Sequence, residues 1–315
     1  MKSFPKLLFI INPISGGWSK NAFTDSLEDF SKKHHFHYEV YQTTGKKDKQ
    51  SLQEIISDNK PDMLVAVGGD GTLVLAAGLI LHTNIKLGVI PFGSANGMAT
   101  ELNIPTNREE AFRVLFHGQP IKIDTIKIDG KYNCVHIGDI GFNAKMIKAF
   151  EKEKKRGRLS YARQFLREFK FSQTIKFKIV SENGNYESSA HMIAFANARK
   201  YGTKAVINPI GKLDDGYFEL CIIKRISFKV LLLIILATLT GSVYKSKFVK
   251  IIRCKKAKIV LKKHKKMTLQ ADGEILGERN KIQLEIQPES LNIIVPNKGE
   301  KSGLSSLIST VSSRT

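Results

Sequence analysis

A glycine-rich segment that directly follows a strand-like apolar run is the feature that most constrains the fold of this chain. Residues 63–67 are uninterruptedly apolar, as in a buried strand, and Gly68-Gly69-Asp70-Gly71-Thr72 follows them, before a helix-like stretch at 73–81. Glycines let the backbone turn sharply and bring N–H groups towards phosphate oxygens, and a helix N-terminus adds positive potential. The segment therefore predicts a phosphate-binding turn, although an ordinary capped strand-to-helix turn would give the same pattern.

Two further loops of small residues follow two other strand-like runs. Asn12-Pro13-Ile14-Ser15-Gly16-Gly17 comes after residues 7–11, and Pro91-Phe92-Gly93-Ser94-Ala95-Asn96-Gly97 comes after residues 86–90. The carboxyl ends of parallel strands lie at one edge of a sheet, where the ligands of open α/β sheets bind. The three loops together therefore predict one crevice, although each loop alone is typical of a polar turn.

The acidic side chain of Asp70 adds a requirement to this crevice. A lone carboxylate repels phosphate unless a divalent cation or a basic group lies between them. The chain has no Gly-x-x-x-x-Gly-Lys-Ser/Thr motif and no protein-kinase motif set, so the glycine loops themselves would hold the phosphates. Asp70 therefore indicates a divalent cation or a basic group in the same crevice as the phosphates.

The order of elements predicts two domains and a tail. Short apolar runs alternate with helix-like windows up to residue 117, which predicts a doubly wound parallel sheet over residues 1–120. After residue 120 apolar side chains recur at every second position, and Asp129-Gly130 is a hairpin signal. This pattern predicts an antiparallel β-sandwich over residues 121–296, with one helical stretch at 144–171. In the serine-rich tail, residues 297–315, apolar residues at helical spacing predict a short docking helix.

The charge of the chain indicates its partners. The formal net charge is +21, with basic clusters at 46–49, 152–158 and 245–266, and such a field concentrates polyanions. The clusters lack the interleaved aromatics of a base-stacking platform, so we predict no nucleic acid partner and a peripheral contact with an anionic membrane surface. The longest uncharged run, 230–244, is shorter than the about 20 residues of a spanning helix, so we predict no transmembrane helix.

The cysteines and the N-terminus favour the cytoplasm. The three cysteines are far apart and lack metal-type spacing, which argues against a disulfide framework or a zinc site. The first residues lack the apolar core and cleavage site of a secretory signal. We therefore expect a cytoplasmic protein that associates with the inner face of the membrane. A monomer and a homodimer are both compatible with the sequence.

Five motifs, in this order, resemble the catalytic family of diacylglycerol kinases and sphingosine kinases, including its bacterial soluble lipid kinases. They are Asn12-Pro13-x-Ser15-Gly16, Gly68-Gly69-Asp70-Gly71-Thr72, Pro91-x-Gly93-Ser94-x-Asn96, Leu213-Asp214-Asp215-Gly216 and Asp272-Gly273-Glu274. The resemblance implies an N-terminal domain like that of NAD kinases and a lipid-binding sandwich. It also implies ATP-dependent phosphorylation of a hydroxyl of diacylglycerol or a related sphingoid lipid, a step of phospholipid metabolism.

The same resemblance assigns roles to individual residues. Asp70 would act through Mg²⁺ at the triphosphate, Glu274 would be the general base for the lipid hydroxyl, and Asp124 matches a further acidic position of the active site. The residues implied in binding ATP are Asn12, Ser15, Gly16, Thr43, Gly68, Gly69, Asp70, Gly71, Thr72, Leu73, Val74, Ser94 and Asn96. Thr44 would fit as well as Thr43. A structural Mg²⁺ would be held by the Asp215 carboxylate and the backbone carbonyls of Lys212 and Tyr217.

Two alternatives to a lipid kinase stay open. An NAD kinase also carries Gly-Gly-Asp-Gly, although the second-domain motifs and the apolar run 230–244 suit a lipid acceptor better than a dinucleotide. A non-catalytic lipid- or nucleotide-binding protein is the other alternative, because many diacylglycerol kinases have an aspartate where this chain has Gly97. Gly97 together with Ser94 resembles the sphingosine and ceramide kinase branch, which leaves the acceptor lipid open. Apart from the other motifs, Asp272-Gly273 is typical of a hairpin turn.

Overall fold

The computed structural model describes residues 4–15, 20–141, 174–201, 205–224, 249–262 and 265–297. Residue contacts divide the chain into a first unit, Met1–Lys122 with Leu291–Thr315, and a second unit, Ile123–Ser290. The predicted helical stretch 144–171, the apolar run 230–244 and the tail beyond residue 297 lie outside the described residues.

The first unit alternates strands and helices. Its elements are β1 (Lys6–Ile11), α1 (Lys20–His34), β2 (His37–Gln42), α2 (Asp48–Asn59), β3 (Met63–Gly68), α3 (Asp70–Ile80), β4 (Lys86–Pro91), α4 (Gly97–Glu101) and α5 (Arg108–His117). The four strands are parallel in the order β2-β1-β3-β4. The predicted parallel α/β sheet is confirmed.

The burial of these elements follows from their sequences. All six residues of β3 are buried, as expected for a strand covered on both faces. Helix α3 packs against β3, and helix α5 packs against β4. The core beside the sheet is aromatic: the rings of Phe30 and Phe112 stack with their centroids 4.3 Å apart, and Phe9 is fully buried beside them. Helix α5 begins where the Asn107 side chain accepts a hydrogen bond from the Glu110 N–H at 3.2 Å.

The strand order places a topological switch point between β1 and β3. From β1 the chain passes to β2 on one side, and it then returns to β3 on the other side of β1. Ligands of open α/β sheets bind beyond the carboxyl ends of the strands at such a point. In this sheet the position lies between Asn12 and Gly68, within the loops that the sequence singles out.

The second unit is built of antiparallel strands. The elements that complete the chain are β5 (Gln119–Ile128), β6 (Tyr132–Cys134), β7 (Ile137–Gly141), β8 (Ile175–Ser181), β9 (Gly184–Ala190), β10 (Met192–Ala196), β11 (Lys200–Tyr201), β12 (Ala205–Val206), β13 (Phe218–Ile223), β14 (Val249–Cys254), β15 (Lys256–Leu261), β16 (Met267–Ala271), β17 (Glu274–Arg279) and β18 (Lys281–Val295). One sheet has the order β14-β13-β10-β7-β16-β17. Strands β18-β15-β8-β9 are consecutive in a second sheet, in which β5 pairs with β18 and β6, and β11 and β12 form a separate two-stranded pair.

The two sheets share one hydrophobic core. Phe177 of β8 lies in the same buried cluster as Phe195 of β10 and Phe218 of β13, and all three side chains are fully buried. A core built from the inner faces of two antiparallel sheets is that of a β-sandwich. The predicted sandwich is confirmed.

Two tight hairpins of the second unit have the same sequence, Asp-Gly. Asp129-Gly130 joins β5 to β6, and Asp272-Gly273 joins β16 to β17. All four residues have positive φ, between 50° and 88°, which is the backbone of a type I′ turn. The predicted hairpin at 129–130 is confirmed. Among the described helices, none combines the length and the apolar character needed to span a bilayer.

Candidate active site

The residues predicted to bind ATP lie where the strands of the first unit end. Loop 12–15 follows β1, Thr43 follows β2, segment 68–74 joins β3 to α3, and loop 92–96 follows β4. Backbone hydrogen bonds hold these ends in register, from the Asn12 N–H to the Val67 carbonyl at 3.1 Å and from the Phe92 N–H to the Gly68 carbonyl at 2.7 Å. The structure therefore brings the predicted set to one edge of the sheet, except for Gly16, which lies outside the described residues.

Two of these loops approach each other backbone to backbone. A Cβ atom on Gly93 would lie 2.4 Å from the Gly69 Cα, and one on Gly69 would lie 3.1 Å from the Gly93 Cα. A Cβ atom on Gly68 would likewise lie 2.3 Å from the Thr72 hydroxyl oxygen. A Cβ would clash at Gly68 and Gly93 and would be tightly packed at Gly69. The loops therefore present main-chain atoms at these positions, and main-chain N–H groups are donors suited to phosphate.

The carboxylate of Asp70 joins the same two loops. Its Oδ2 accepts a hydrogen bond from the Gly97 N–H at 2.9 Å, and its Oδ1 accepts one from the Met98 N–H at 3.1 Å. Asp70 therefore caps the first turn of α4 from another element. A carboxylate has about four lone-pair positions, and Asp70 is only half-buried, so both oxygens can accept further partners. This donor set fits a magnesium ion, a hard cation that prefers oxygen ligands.

The two predicted asparagines shape their own loops. The Asn96 side chain accepts from the Gly93 N–H and donates to the Gly93 carbonyl, both at 2.8 Å. Asn96 itself has a φ of 49°, a conformation that asparagine tolerates better than most residues. The Asn12 side chain accepts from the Ile14 N–H at 3.0 Å. Both amides therefore fix the path of the backbone around the crevice.

The loop after β2 distinguishes Thr43 from Thr44. The Thr44 hydroxyl donates to the Lys46 carbonyl at 2.9 Å and lies 3.0 Å from the Asp48 carboxylate. Asp48 also accepts from the backbone N–H groups of Thr44 and Gly45, each at 2.8 Å. Burial alone would raise the pKa of Asp48, but these hydrogen bonds and one from Tyr41 outweigh it, and the pKa lies below its usual value. Because Thr44 is engaged within its loop, the geometry favours Thr43 for a ligand.

In the second unit, Asp124 lies on β5 and organises two turns. Its side chain is buried, with Oδ2 accepting from the Gly216 N–H at 2.7 Å and Oδ1 from the Glu289 N–H at 2.8 Å. The Asp124 N–H donates to the Leu213 carbonyl at 2.7 Å. Burial raises the pKa of Asp124, and the two backbone donors partly offset that rise. The residue thus holds the turn that carries the predicted metal ligands, and its catalytic role stays a prediction.

The predicted metal-binding turn, residues 212–217, already contains a paired carboxylate. Asp215 Oδ2 lies 2.6 Å from a terminal nitrogen of Arg253, and Asp215 Oδ1 accepts from the Tyr217 N–H at 3.2 Å. The Asp215 carboxylate and the carbonyls of Lys212 and Tyr217 are oxygen donors of the type that suits Mg²⁺. The charge that would attract the metal is nevertheless neutralised by an arginine. Metal binding at this turn stays a prediction.

A buried polar cluster adjoins this turn. Glu219 on β13 is 1% exposed, and its Oε2 accepts from the Asn208 side-chain amide at 2.6 Å. Burial raises the pKa of Glu219, while the bond from Asn208 and the charge of Arg253 act to lower it. Glu219 Oε1 and Asn208 Oδ1 lack a hydrogen-bond partner within the described part of the chain.

Glu274, the predicted general base, is the first residue of β17. Its side chain is exposed, and it follows the Asp272-Gly273 turn directly. Asp272 anchors that turn, because its carboxylate accepts from the backbone N–H groups of Val135, His136 and Ile137 at 2.7, 2.9 and 3.1 Å. The sequence pattern identified the turn and missed this anchor. Glu274 therefore stands on a fixed turn with its carboxylate accessible to a substrate.

Two further residues with a defined place at these turns were not predicted. From sequence alone, Arg253 belongs to the basic cluster 245–266, and Glu219 is an acid within an apolar strand. Their pairing depends on strand register, since Glu219 of β13 lies directly opposite Arg253 of β14. No local motif signals such a pair, because the two residues are separated along the chain and meet only when the strands pair.

Comparison with known protein families covers both units. Residues 6–128 match the diacylglycerol kinase catalytic domain, and residues 138–295 match the YegS C-terminal NAD kinase beta sandwich-like domain. The first match includes the glycine loops and Asp70, and the second includes the 212–217 turn and Glu274.

Individual relatives carry similar names. A protein of Streptococcus pneumoniae serotype 4 named "Putative lipid kinase" is 29% identical over 258 residues, which cover 81% of this chain and 86% of that protein. A "Probable lipid kinase YegS-like" of Yersinia pestis strain Pestoides F is 26% identical over 239 residues, covering 74% of this chain and 78% of that protein.

Solved structures show the same fold. A diacylglycerol kinase from Bacillus anthracis strain Sterne superposes with a TM-score of 0.72 at 19% sequence identity, covering 94% of this chain and 98% of the other. A second structure from that organism has a TM-score of 0.76 at 22% identity, with the same coverage. The two family matches show that the chain belongs to the family of lipid kinases that combine a diacylglycerol kinase catalytic domain with a YegS-like C-terminal sandwich, and that it is a kinase.

Proposed function

We propose that this protein uses ATP and Mg²⁺ to phosphorylate a hydroxyl of diacylglycerol or a related sphingoid lipid at the cytoplasmic face of an anionic membrane. The observation that carries the proposal is the crevice of the first unit, in which glycine loops meet at the carboxyl ends of β3 and β4 around the half-buried carboxylate of Asp70. Family membership supports the lipid as the acceptor.

The loops supply what phosphate binding requires. Gly69 and Gly93 themselves have no side chain that would keep a phosphate away, and the N-terminus of α3 adds positive potential. Asp70 would hold Mg²⁺, which supplies charge neutralisation for the triphosphate when it is bound. Thr43, Ser15 and Ser94 would complete the nucleotide site.

The transfer step is a displacement at the γ-phosphorus. The lipid hydroxyl oxygen forms a bond to phosphorus while the bond from phosphorus to the oxygen bridging to the β-phosphate breaks, and ADP leaves. The proton of the hydroxyl passes to the carboxylate of Glu274, which is a stronger base than an un-ionised alcohol. The products are ADP and the lipid phosphate.

Transfer of labelled γ-phosphate from ATP to a panel of lipids in mixed micelles tests this proposal. The panel contains diacylglycerol, sphingosine and ceramide, and NAD is included as a separate acceptor. We expect Mg²⁺-dependent labelling of one lipid, and a loss of at least about a hundredfold in kcat for Glu274→Gln because the general base is gone. Asp70→Asn should also lose turnover.

Glu278→Gln is the matched control, since Glu278 is another exposed glutamate of the same strand, β17. It should retain the rate of the unmodified chain. Labelling of NAD instead of any lipid would favour the NAD kinase alternative. ATP binding without transfer to any acceptor would favour a non-catalytic protein, and full activity of Glu274→Gln would remove the general base from the proposal.

A further inference from the structure

We propose that Arg253 is the built-in cation of the 212–217 turn, and that its guanidinium occupies the place at Asp215 that a divalent ion would otherwise take. The proposal concerns how the second unit is held together and does not depend on the phosphoryl transfer proposed above. It predicts that the folding stability of this turn is independent of Mg²⁺ in the native chain.

Strand register fixes the position of Arg253. Strands β13 and β14 are antiparallel, and Glu219 lies directly opposite Arg253 in their ladder. Side chains of opposite residues in a ladder share one face of the sheet. Arg253 therefore starts beside Glu219 and extends to Asp215, four residues before Glu219. The backbone register therefore places Arg253 beside Glu219, and its extended side chain makes the contact with Asp215.

Two carboxylates stabilise the guanidinium of Arg253 at this position. Glu219 is 1% exposed, and Arg253 Nε lies 3.6 Å from its Oε1. The same guanidinium reaches Asp215 Oδ2 at 2.6 Å, so one cation serves two carboxylates. Removing the cation would leave Glu219 buried without a counter-charge, which is costly. A metal at Asp215 would lie close to the guanidinium, and the two positive charges would repel.

The guanidinium of Arg253 also contacts an aromatic ring, that of Tyr217. The guanidinium carbon lies 4.0 Å from the centre of the Tyr217 ring, within the range of a cation–π contact. The planar guanidinium can stack on a ring and pair with carboxylates at its edge, which an ammonium group cannot do equally well. Lys255 also approaches this ring, with its Nζ 4.9 Å from the ring centre.

Thermal unfolding of the full chain tests the proposal. Each variant is measured without nucleotide in EDTA, in millimolar Mg²⁺, and in NaCl of the same ionic strength. For the native chain we expect the same Tm in Mg²⁺ and in matched NaCl. For Arg253→Met we expect a lower Tm in EDTA and a recovery of about 3 °C in Mg²⁺, because Asp215 is then free to bind the ion. The recovery should vanish in the double variant Arg253→Met/Asp215→Asn.

Lys255→Met is the matched control. It removes a lysine from the same ring and leaves the Asp215 pair intact, so it should gain no stabilisation from Mg²⁺. If the Tm of Arg253→Met is the same in Mg²⁺ as in matched NaCl, the proposal is overturned. If Arg253→Met does not fold, the proposal is tested on the native chain and on Asp215→Asn. A Mg²⁺-specific rise in the Tm of the native chain that Asp215→Asn abolishes would show that the metal, and not Arg253, is the cation of this turn. The absence of such a rise would support Arg253 as the cation.

Discussion

At the scale of single residues, the absence of a side chain matters most in the first unit. Gly69 and Gly93 let two loops from neighbouring strands meet at their Cα atoms. Gly71, in the same motif, has open space where a Cβ would be. Glycines that look equivalent in the sequence therefore differ in their surroundings, and packing requires a glycine at only some of these positions.

Gly93→Ala should destabilise the first unit by about 2 kcal/mol, because its Cβ would meet backbone atoms that cannot move independently. Urea unfolding measures the change. Gly78→Ala is the control, since Gly78 is exposed on α3 with open space around its Cα. That variant should be neutral or more stable by up to about 1 kcal/mol, because alanine favours helix. Equal loss in both variants would contradict the packing explanation.

At the scale of elements, aspartates hold the turns of both units. Asp48, Asp70, Asp124 and Asp272 each accept backbone N–H groups, and three of them bind a segment remote in sequence. Hydrogen bonds from N–H donors to a carboxylate are stronger than hydrogen bonds from the same donors to a neutral acceptor. The loops that carry the predicted site residues are therefore fixed by charge-assisted hydrogen bonds.

Asp48→Asn tests this for the loop that carries Thr43. The amide brings an N–H where the Gly45 N–H now donates, so we expect a loss of about 2 kcal/mol at pH 7. Because the folded-state pKa of Asp48 is lowered, its contribution is complete above its unfolded pKa and is lost as the pH falls through the folded value.

The difference in unfolding free energy between the native chain and Asp48→Asn should therefore shrink below about pH 4. Denaturant unfolding at several pH values measures it. Asp58→Asn, an exposed position of the same helix, should have little effect at any pH. A loss for Asp48→Asn that does not change with pH would argue against the role of the charge.

The two Asp-Gly hairpins provide a second comparison. Asparagine also suits the type I′ turn, so Asp272→Asn and Asp129→Asn both preserve turn geometry. Asp272 accepts three backbone N–H groups, whereas Asp129 accepts the Gln283 N–H at 2.8 Å and lies 3.6 Å from Arg279.

We expect a loss of about 3 kcal/mol for Asp272→Asn and about 1 kcal/mol or less for Asp129→Asn. Chemical denaturation of the two variants compares them. A smaller loss at Asp272 than at Asp129 would show that the anchor to residues 135–137 contributes little.

At the scale of the whole molecule, charge is the dominant property. The net charge of +21 favours an anionic surface, and we expect the protein to bind vesicles of anionic phospholipid and to leave vesicles of zwitterionic lipid largely unbound. Co-sedimentation measures the bound fraction. Raising the salt from about 0.05 M to about 0.5 M should release the protein, because the Debye length becomes shorter than the separation of the charges. A bound fraction that depends neither on the lipid charge nor on the salt concentration would contradict the electrostatic explanation.

The sequence by itself determined the periodic features of this protein. The buried runs, the glycine loops and the Asp-Gly turn at 129–130 are local patterns, and each predicts an element whose cause lies within a few neighbouring residues. The parallel sheet and the sandwich follow from the order of such elements. The five motifs gave the family for the same reason, since each is a short contiguous segment.

Only the tertiary structure decided which distant segments meet. Residues 291–295, the end of β18, belong to the first unit, where Ile293 lies opposite Leu87 of β4. The partners of Asp70, Asp272 and Arg253 likewise come from other loops and strands. The physical reason is that backbone N–H groups and strand edges are present at every residue, so a local pattern does not identify which of them a given side chain will bind.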